Sequence, residues 1–155
     1  MTRSADPAPN MALLLADARR WFEDALFASM RAAGEQPVTS AQGLVFASLD
    51  PEGTTVSDIA RRIGVTRQTA HQAVHGLVAL GLLEQVPDPA SARTRLIRIT
   101  PEGERVHARA QATLARIEQV LAERIGAGPA AALRDALSLP RGEPPLVEAP
   151  LVEAP

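Results

Sequence analysis

The chain has 155 residues and a formal net charge of −2, with 46% hydrophobic and 22% charged residues. These proportions resemble those of globular proteins and argue against a wholly disordered chain. Cysteine is absent, which excludes disulfides, thiol nucleophiles, thiol redox sensing and cysteine-ligated zinc. The longest apolar run, Met11–Ala16, is far shorter than the ~20 residues of a membrane span, and no signal-peptide pattern opens the sequence. We therefore expect a cytoplasmic protein without a membrane partner.

Positive charge is concentrated in the middle of the sequence. Between Thr54 and Thr100, six arginines stand against three acidic residues, a local charge of +3. Since the total is −2, the other residues together carry −5. All 16 basic residues are arginine, which we attribute to coding bias, so only their clustering is informative. A basic segment in an acidic chain is compatible with a nucleic-acid partner.

The N-terminal third predicts an arm and two helices. Residues 1–9 contain two prolines and no periodicity, so we expect a disordered arm. Asn10 is an N-cap residue type before a helix that we expect to reach Ala33, where Gly34 ends it. Its apolar residues form two adjacent stripes, so the helix needs more than one packing partner. One stripe contains Leu14, Ala18, Trp21, Ala25, Ala28 and Ala32, and the other contains Leu15, Phe22, Leu26 and Ala33. Ser40 is then predicted to cap a short helix, 41–49, before a turn at 50–53.

The central segment, 56–75, has the pattern of a helix-turn-helix. Thr55 and Asp58 form a capping-box-like start, and Gly64 supplies a residue that tolerates positive φ in the turn. Thr66 is predicted to cap the second helix. The positions that must be small or apolar for the two helices to pack are all filled: Ile59, Ala60, Ile63, Val65, Ala70, Ala73, Val74 and Leu77.

The outward face of the second helix carries side chains that form hydrogen bonds, instead of the Glu and Lys of an ordinary solvated helix. Arginine and glutamine make bidentate contacts to base edges, and such a helix fits the major groove. A plain polar surface helix is the simpler alternative, which the surrounding motif disfavours. The predicted DNA-contacting residues of this helix are Thr66, Arg67, Gln68, Thr69, His71, Gln72 and His75.

A predicted β-hairpin follows directly, after Gly81. Residues 82–86 and 95–99 have strand patterns, and residues 87–92 are typical of a turn. A hairpin in this place is a wing beside the recognition helix. We expect Arg93 at its tip to reach neighbouring phosphates and the minor groove, with Arg95 on the returning strand as a further DNA contact.

The C-terminal part predicts one long and one short helix. Thr100 and Pro101 have the residue types of an N-cap and a first helical position. A seam of two apolar residues in seven follows, suited to a partner helix: Val106, Ala110, Leu114, Ile117, Leu121 and Ile125. Residues 126–128 break the helix, and Pro129 is predicted to start another that ends at Leu139. Residues 140–155 are expected to be a disordered Pro- and Glu-rich tail, ending in a tandem LVEAP repeat.

Three stretches together resemble the MarR (multiple-antibiotic-resistance regulator) family of bacterial winged helix-turn-helix proteins. They are VTSAQGLVFASL (38–49), VSDIARRIGVTRQTAHQAVHGLVALGLLEQ (56–85) and PDPASARTRLIRITPEG (87–103). The resemblance covers residues from about 37 to 125. It implies a mainly α fold with a small β-hairpin wing, in which 10–139 form a single domain. Within it, 10–36 and 101–139 would be dimerisation helices around a DNA-binding lobe, 37–100.

The resemblance also implies a function. Members of the family are homodimeric regulators that bind palindromic double-stranded DNA operators, often as repressors, and an anionic or phenolic ligand often weakens that binding. Trp21, Phe22 and Phe46 could line a pocket for a small aromatic or anionic effector, although core packing explains such aromatics equally well. The predicted dimer contacts are Leu14, Ala18, Val106, Leu114, Ile117, Leu121, Ile125, Leu133 and Leu137.

The sequence departs from the family pattern at three places. The wing reads Ser91-Ala92-Arg93 where the family usually has Asp-x-Arg, so the acid that helps to hold the arginine is missing. Gly76 lies inside the recognition helix, where glycine costs ~1 kcal/mol relative to alanine. Residues 78–80 are more apolar than usual. These departures concern wing order and affinity, and not the fold.

Parts of the sequence are compatible with three other functions. His71 and His75 have the four-residue spacing of a two-histidine metal site, but no carboxylate accompanies them on that face. A hydrolase is disfavoured because there is no Gly-x-Ser-x-Gly, phosphate loop or paired carboxylates near a histidine; Asp58 is better explained by capping and an ion pair. We therefore expect no enzyme, metal or cofactor. A winged-helix module that binds another protein and not DNA is the main alternative.

Overall fold

The computed structural model describes residues 8–148, apart from the side chain of Ala92. It is mainly helical with one two-stranded antiparallel sheet, which confirms the predicted fold class. The elements are α1 (Met11–Ala32), α2 (Ser40–Ala47), α3 (Val56–Ile63), α4 (Arg67–Ala79), β1 (Leu83–Asp88), β2 (Ser91–Ile99), α5 (Pro101–Ile125) and α6 (Ala127–Ser138). None of the described helices is long and apolar enough to cross a membrane.

The chain divides into two compact units, with the boundary inside α5 after Glu118. The larger unit contains everything from α1 to the first part of α5, and the smaller contains the end of α5 and α6. Residues 1–7 of the predicted arm and 149–155 of the predicted tail lie outside the described residues. Residues 8–10 and 140–148 form neither helix nor strand.

Local sequence explains the ends of α1 and α2. The Asn10 side chain accepts a hydrogen bond from the backbone of Leu13 (3.0 Å), and Gly34 at φ 81° ends α1, both as predicted. The prediction for α2 was wrong at both ends, since the N-cap is Thr39 and the helix ends at Ala47. Thr39 prevails over Ser40 because Gln42 lies three residues after it, and the two residues exchange hydrogen bonds in a capping box.

The helix-turn-helix forms as predicted. Thr55 and Thr66 cap α3 and α4 through bonds of 3.1 Å to the backbones of Asp58 and Thr69. Gly64 has φ 70° in the turn between them, a conformation that side chains with a Cβ rarely adopt. The core of the larger unit lies where α2, α3, α4 and the hairpin meet, and its most buried residues are Val45, Ile59, Ala70, Val74, Leu77, Leu83 and Ile97.

The wing is longer and its turn tighter than predicted. β1 continues to Asp88 and β2 begins at Ser91, so only residues 89–90 form the turn. Asp88 pairs with Ser91, whereas Pro87 pairs with Arg95. Residues 92–94 therefore have no opposite partners and form a bulge, which contains Arg93. The pairing continues through Pro87 because the wing is an edge hairpin, where a missing backbone N–H is tolerated.

The last two helices also begin at local signals. Thr100 caps α5 by accepting from the backbone of Gly103 (3.0 Å), and Pro101 is the first helical residue, as predicted. α6 begins at Ala127, two residues before the predicted start at Pro129. Gly126, at φ 98°, interrupts the helix without the help of residues 127 and 128. Proline in the first turn is compatible with this earlier start, since its missing N–H has no partner in the helix there.

Candidate nucleic-acid interface and a neighbouring cavity

Helix α4 has one buried and one exposed face. Ala70, Ala73, Val74 and Leu77 pack into the core, and this fixes the orientation of the opposite face. All seven residues predicted to contact DNA from this helix and its cap are exposed. The structure therefore places them on one continuous surface.

The side chains on that surface that are best suited to contact bases have no hydrogen-bonding partner within the described residues. Arg67, Gln68 and Gln72 form no hydrogen bond or ion pair within residues 8–148. Thr66 and Thr69 instead contact each other (2.9 Å between the hydroxyls), and Thr66 caps the helix. The positive end of the α4 dipole lies at this N-terminus, and the polar side chains around it are exposed. Both features favour an anionic partner.

His71 and His75 lie side by side on the same face. Their rings are 6.4 Å apart between centroids and tilted by 21°. Among the described residues, no group of three or more histidine and acidic side chains could hold a metal ion. The pair is thus a polar part of the exposed α4 face.

Two arginines of the wing are exposed, and a third forms a hydrogen bond within the protein. Arg93, in the bulge, and Arg95 are exposed. Arg98 donates from Nε to the backbone oxygen of Glu52 (3.0 Å), so it holds the hairpin to the turn before α3. At the site of the missing acid, Ser91 accepts a hydrogen bond from Thr94 (3.0 Å). The bulge is therefore closed without the help of Arg93.

The remaining charges near the helix-turn-helix are structural. Arg62 of α3 donates to Asp50 and to the backbone oxygen of Ser48, both at 2.7 Å, which ties α3 to the end of α2. Asp58 accepts from Thr55 and Arg61 at 2.7 Å, and these two contacts hold the pKa of its carboxyl below the usual value. The predicted capping and ion-pair role of Asp58 is confirmed.

A cavity of about 380 Å³ lies between α1, α2 and the first part of α5. Phe22 and Phe46 line it, as predicted. The prediction for Trp21 was wrong: it packs edge-on against Phe22 (centroids 5.1 Å apart) and is not part of the lining. Adjacent residues project about 100° apart around a helix axis, and here Phe22 lines the cavity while Trp21 lies beside it. His107 of α5 stacks on Phe46 at 5.4 Å and closes the opposite wall.

The cavity also has polar walls that the sequence analysis missed. Arg19, Glu23 and Arg31 of α1 line it, together with Gln111 of α5. Arg19 donates to Glu23 (3.0 Å), and Glu23 accepts from the hydroxyl of Ser40 (3.1 Å). The four-residue spacing of Arg19 and Glu23 was visible in the sequence. Their position at the cavity was not, because it depends on how α1 packs.

Helix α2 faces the cavity on one side and the recognition helix on the other. Leu44 and Phe46 line the cavity, whereas Val45 is fully buried in the core beside α4. At Gly76 of α4, a Cβ atom would collide with the side-chain amide of Gln42 of α2. Gly76 therefore lies where α4 packs against α2, next to the flexible end of the Gln42 side chain.

Glu35 connects the segment after α1 with α5. It accepts two hydrogen bonds from Arg105 (2.8 and 2.9 Å) and one from Arg109 (2.6 Å), and its side chain is only 7% exposed. Arg105 also binds Glu102. The hydrogen bonds from the two arginines lower the pKa of Glu35 from 4.5 to about 2.

Because this pKa is lowered in the folded state, Glu35 stabilises the fold above pH 4.5, and this contribution is lost as the pH falls from 4.5 towards 2. We expect Glu35→Gln to reduce the free energy of unfolding at neutral pH by about 1–2 kcal/mol, since the half-exposed arginines are partly screened. Urea unfolding at several pH values measures this difference, which should shrink in acid. Glu52→Gln, on an exposed turn, is the control. Equal stability of Glu35→Gln and wild type at neutral pH would contradict the assignment.

The nine residues predicted as dimer contacts differ in exposure. Val106 and Ile117 are each 8% exposed within the single chain, so they have little surface to offer a second chain. Val106 is buried because it packs against the core of the larger unit. Ala18 is exposed, and Leu114 and Leu121 are half-buried. The other four of the nine are large apolar residues that remain exposed: Leu14 (49%), Ile125 (45%), Leu133 (41%) and Leu137 (44%).

Comparison with known proteins identifies the family. The model of the MarR family matches residues 36–94. The PcaV transcriptional regulator of Streptomyces coelicolor is 31% identical, over 79% of this chain and 90% of PcaV, with a TM-score of 0.59. The transcriptional repressor CouR, in its structure with a 23-mer DNA duplex, is 23% identical over 89% of this chain and 96% of CouR, with a TM-score of 0.73. No curated protein matches the chain.

At 23% identity CouR supports the fold, and PcaV supports the family as well. A second structure of PcaV, in complex with its natural ligand, is similar over 88% of this chain and 94% of PcaV, with a TM-score of 0.63. The chain thus shares its fold with solved transcriptional regulators over most of its length. The chain belongs to the MarR family of winged helix-turn-helix transcriptional regulators.

Proposed function

We propose that this protein is a ligand-responsive repressor that binds a pseudo-palindromic DNA operator as a homodimer. The observation that carries the proposal is the exposed face of α4, where Arg67, Gln68 and Gln72 have no partner within the described residues. Uncommitted arginine and glutamine side chains on a fixed helix can form bidentate hydrogen bonds to base edges. A surface for a protein partner would expose an apolar patch in the same place.

The assignment of segments to DNA binding and dimerisation follows that of the family. Residues 37–100 form the DNA-binding lobe, and 10–36 with 101–139 form the dimerisation helices. The exposed leucines of α1 and α6 support this assignment, because large apolar side chains with 40–50% exposure gain from burial against a second chain. Two-fold symmetry would then place two copies of α4 in successive major grooves, ~10 bp apart.

The wing contributes contacts that do not depend on sequence. Arg93 and Arg95 project from the hairpin beside α4, and exposed arginines at this position bind phosphates or a narrow minor groove. Since no carboxylate within residues 8–148 pairs with Arg93, its side chain must be ordered on binding. The wing therefore adds modest affinity, and the exposed face of α4 carries the sequence preference.

The cavity is the proposed effector site. Its volume is within the range of small-molecule sites, and it combines aromatic walls with two guanidinium groups, which suits a small aromatic acid. PcaV, the 31% identical relative, has been solved with its natural ligand. Because α2 lines the cavity and also packs against α4, a ligand that displaces α2 changes the position of the recognition helix. This link is how an effector would weaken operator binding.

Gln72→Ala tests the reading of DNA bases. If the Gln72 amide contacts a base edge, the variant loses affinity for the wild-type operator by about 1–3 kcal/mol and discriminates less at one position of each half-site. Fluorescence anisotropy with single-base operator variants measures both quantities. Gln85→Ala, an exposed glutamine on β1, is the matched control. A uniform loss across all operator variants would make Gln72 a backbone contact and contradict the proposal.

A further inference from the structure

Glu23 is an acidic side chain in the wall of a cavity whose other charged groups are arginines. One of its carboxylate oxygens lies 3.0 Å from Arg19, and the other accepts a hydrogen bond from Ser40 at 3.1 Å. The Glu23 side chain is 28% exposed and that of Arg19 is 67% exposed. The Arg19 guanidinium is thus already paired with a carboxylate of its own helix.

This internal carboxylate affects any anion that enters the cavity. An anionic ligand that approaches Arg19 meets the negative charge of Glu23 at the same guanidinium, and like charges at such distances repel. A neutral ligand of the same shape experiences no such repulsion. Glu23 therefore lowers the affinity for carboxylates without closing the cavity to aromatic compounds.

Ser40 extends the effect to α2. It is the first residue of that helix, and its hydrogen bond to Glu23 links α2 to α1. The negative charge of Glu23 also lies near the positive end of the α2 dipole. A ligand carboxylate that pairs with Arg19 displaces Glu23 from it. The hydrogen bond from Ser40 to Glu23 is then weakened, and with it the attachment of α1 to α2, the helix that packs against α4.

We propose that Glu23 competes with the effector for Arg19. Without a ligand it pairs with Arg19 and so lowers the affinity for weakly bound anions. When a ligand displaces Glu23, its hydrogen bond to α2 is weakened, and ligand binding thereby affects α2. This inference rests on the proposed effector site and deepens it. It assigns the control of ligand affinity to one residue of α1, outside the aromatic walls. Its consequence is that removal of the Glu23 charge raises the affinity for an aromatic acid and not for its neutral analogue.

Benzoate and benzamide are the probes, since they share a shape and differ in charge. The protein contains one tryptophan, and Trp21 touches the cavity-lining Phe22, so its fluorescence reports binding. We expect Glu23→Gln to bind benzoate about tenfold more tightly than wild type, equivalent to ~1.4 kcal/mol. Its affinity for benzamide should change less than about twofold. Asp24→Asn removes a neighbouring exposed charge that does not line the cavity and should change neither affinity. Adding Arg19→Gln to Glu23→Gln should abolish the gain.

The outcomes separate this inference from the proposed function. An unchanged ratio of benzoate to benzamide affinity in Glu23→Gln overturns the role of Glu23, as does the absence of benzoate binding to that variant. Operator binding by the ligand-free wild type is measured in parallel by anisotropy. Its failure contradicts the proposed repressor and leaves the affinity ratio as an independent result on Glu23.

Discussion

The double variant Leu133→Glu/Leu137→Glu is expected to be a folded monomer that does not bind the operator. The two leucines lie one turn apart on α6 and are 41% and 44% exposed in the single chain, so charges there are tolerated in a monomer. In the proposed dimer they would be buried, and burying an unpaired carboxylate costs several kcal/mol. We expect the dimer dissociation constant to rise by at least about a thousandfold, equivalent to ~4 kcal/mol.

Analytical ultracentrifugation measures this change, and circular dichroism shows whether the helices remain. Ala131→Glu, on the opposite face of α6, is the matched control and should remain dimeric. A double variant that sediments as a dimer and binds the operator like wild type would place the interface elsewhere. Ile117→Glu is a poor test, because Ile117 is buried within its own chain and a charge there unfolds the monomer as well.

Gly103→Ala is expected to destabilise the protein by about 1–3 kcal/mol, the usual cost of overpacking. A Cβ at this position would collide with the backbone oxygen of Leu82 and lie 2.8 Å from the side chain of Ile99. The Leu82 oxygen also accepts a hydrogen bond from the backbone of Thr100 (3.1 Å). The rigid backbone leaves no inexpensive relaxation, so the junction between the wing and α5 must move.

Gly43→Ala is the control for this substitution. It replaces another helical glycine, but nothing lies within 4 Å of the new Cβ, so we expect a gain of up to about 1 kcal/mol from helix propensity. Thermal unfolding of the two variants should therefore shift in opposite directions from wild type. If Gly103→Ala were as stable as Gly43→Ala, the close contact between α5 and the backbone of Leu82 would be disproved.

The sequence predicted best those features that depend on neighbouring residues. The N-caps at Asn10, Thr55, Thr66 and Thr100 were all identified, because a cap and its partner lie within three residues of each other. The same rule explains the error at α2, where the capping box of Thr39 and Gln42 was overlooked. The wing turn was placed too broadly because residues 87–92 have turn-forming residue types, whereas an edge strand tolerates a proline such as Pro87.

Features that depend on how helices pack were predicted less well. Trp21 and Phe22 are adjacent, and the sequence does not show which of them faces α2 and α5. Val106 belongs to an apolar seam that suited a second chain, yet the core of its own unit buries it. The missed cavity residues Arg19, Glu23 and Arg31 look like ordinary solvated charges in the sequence. By contrast, the exposed face of α4 was predictable, because the spacing of its buried alanines and valine fixes its orientation.

Selection of duplexes from a random DNA library by the wild-type protein, followed by hydroxyl-radical footprinting of the enriched sequence, tests the central claim most directly. The account predicts a pseudo-palindrome with protected half-sites centred ~10 bp apart on one face of the duplex, since two copies of α4 enter successive major grooves. It also predicts that Gln72→Ala no longer enriches the same bases within each half-site. Failure to enrich any sequence at low salt, or a single asymmetric footprint, would contradict a dimer that reads DNA through α4.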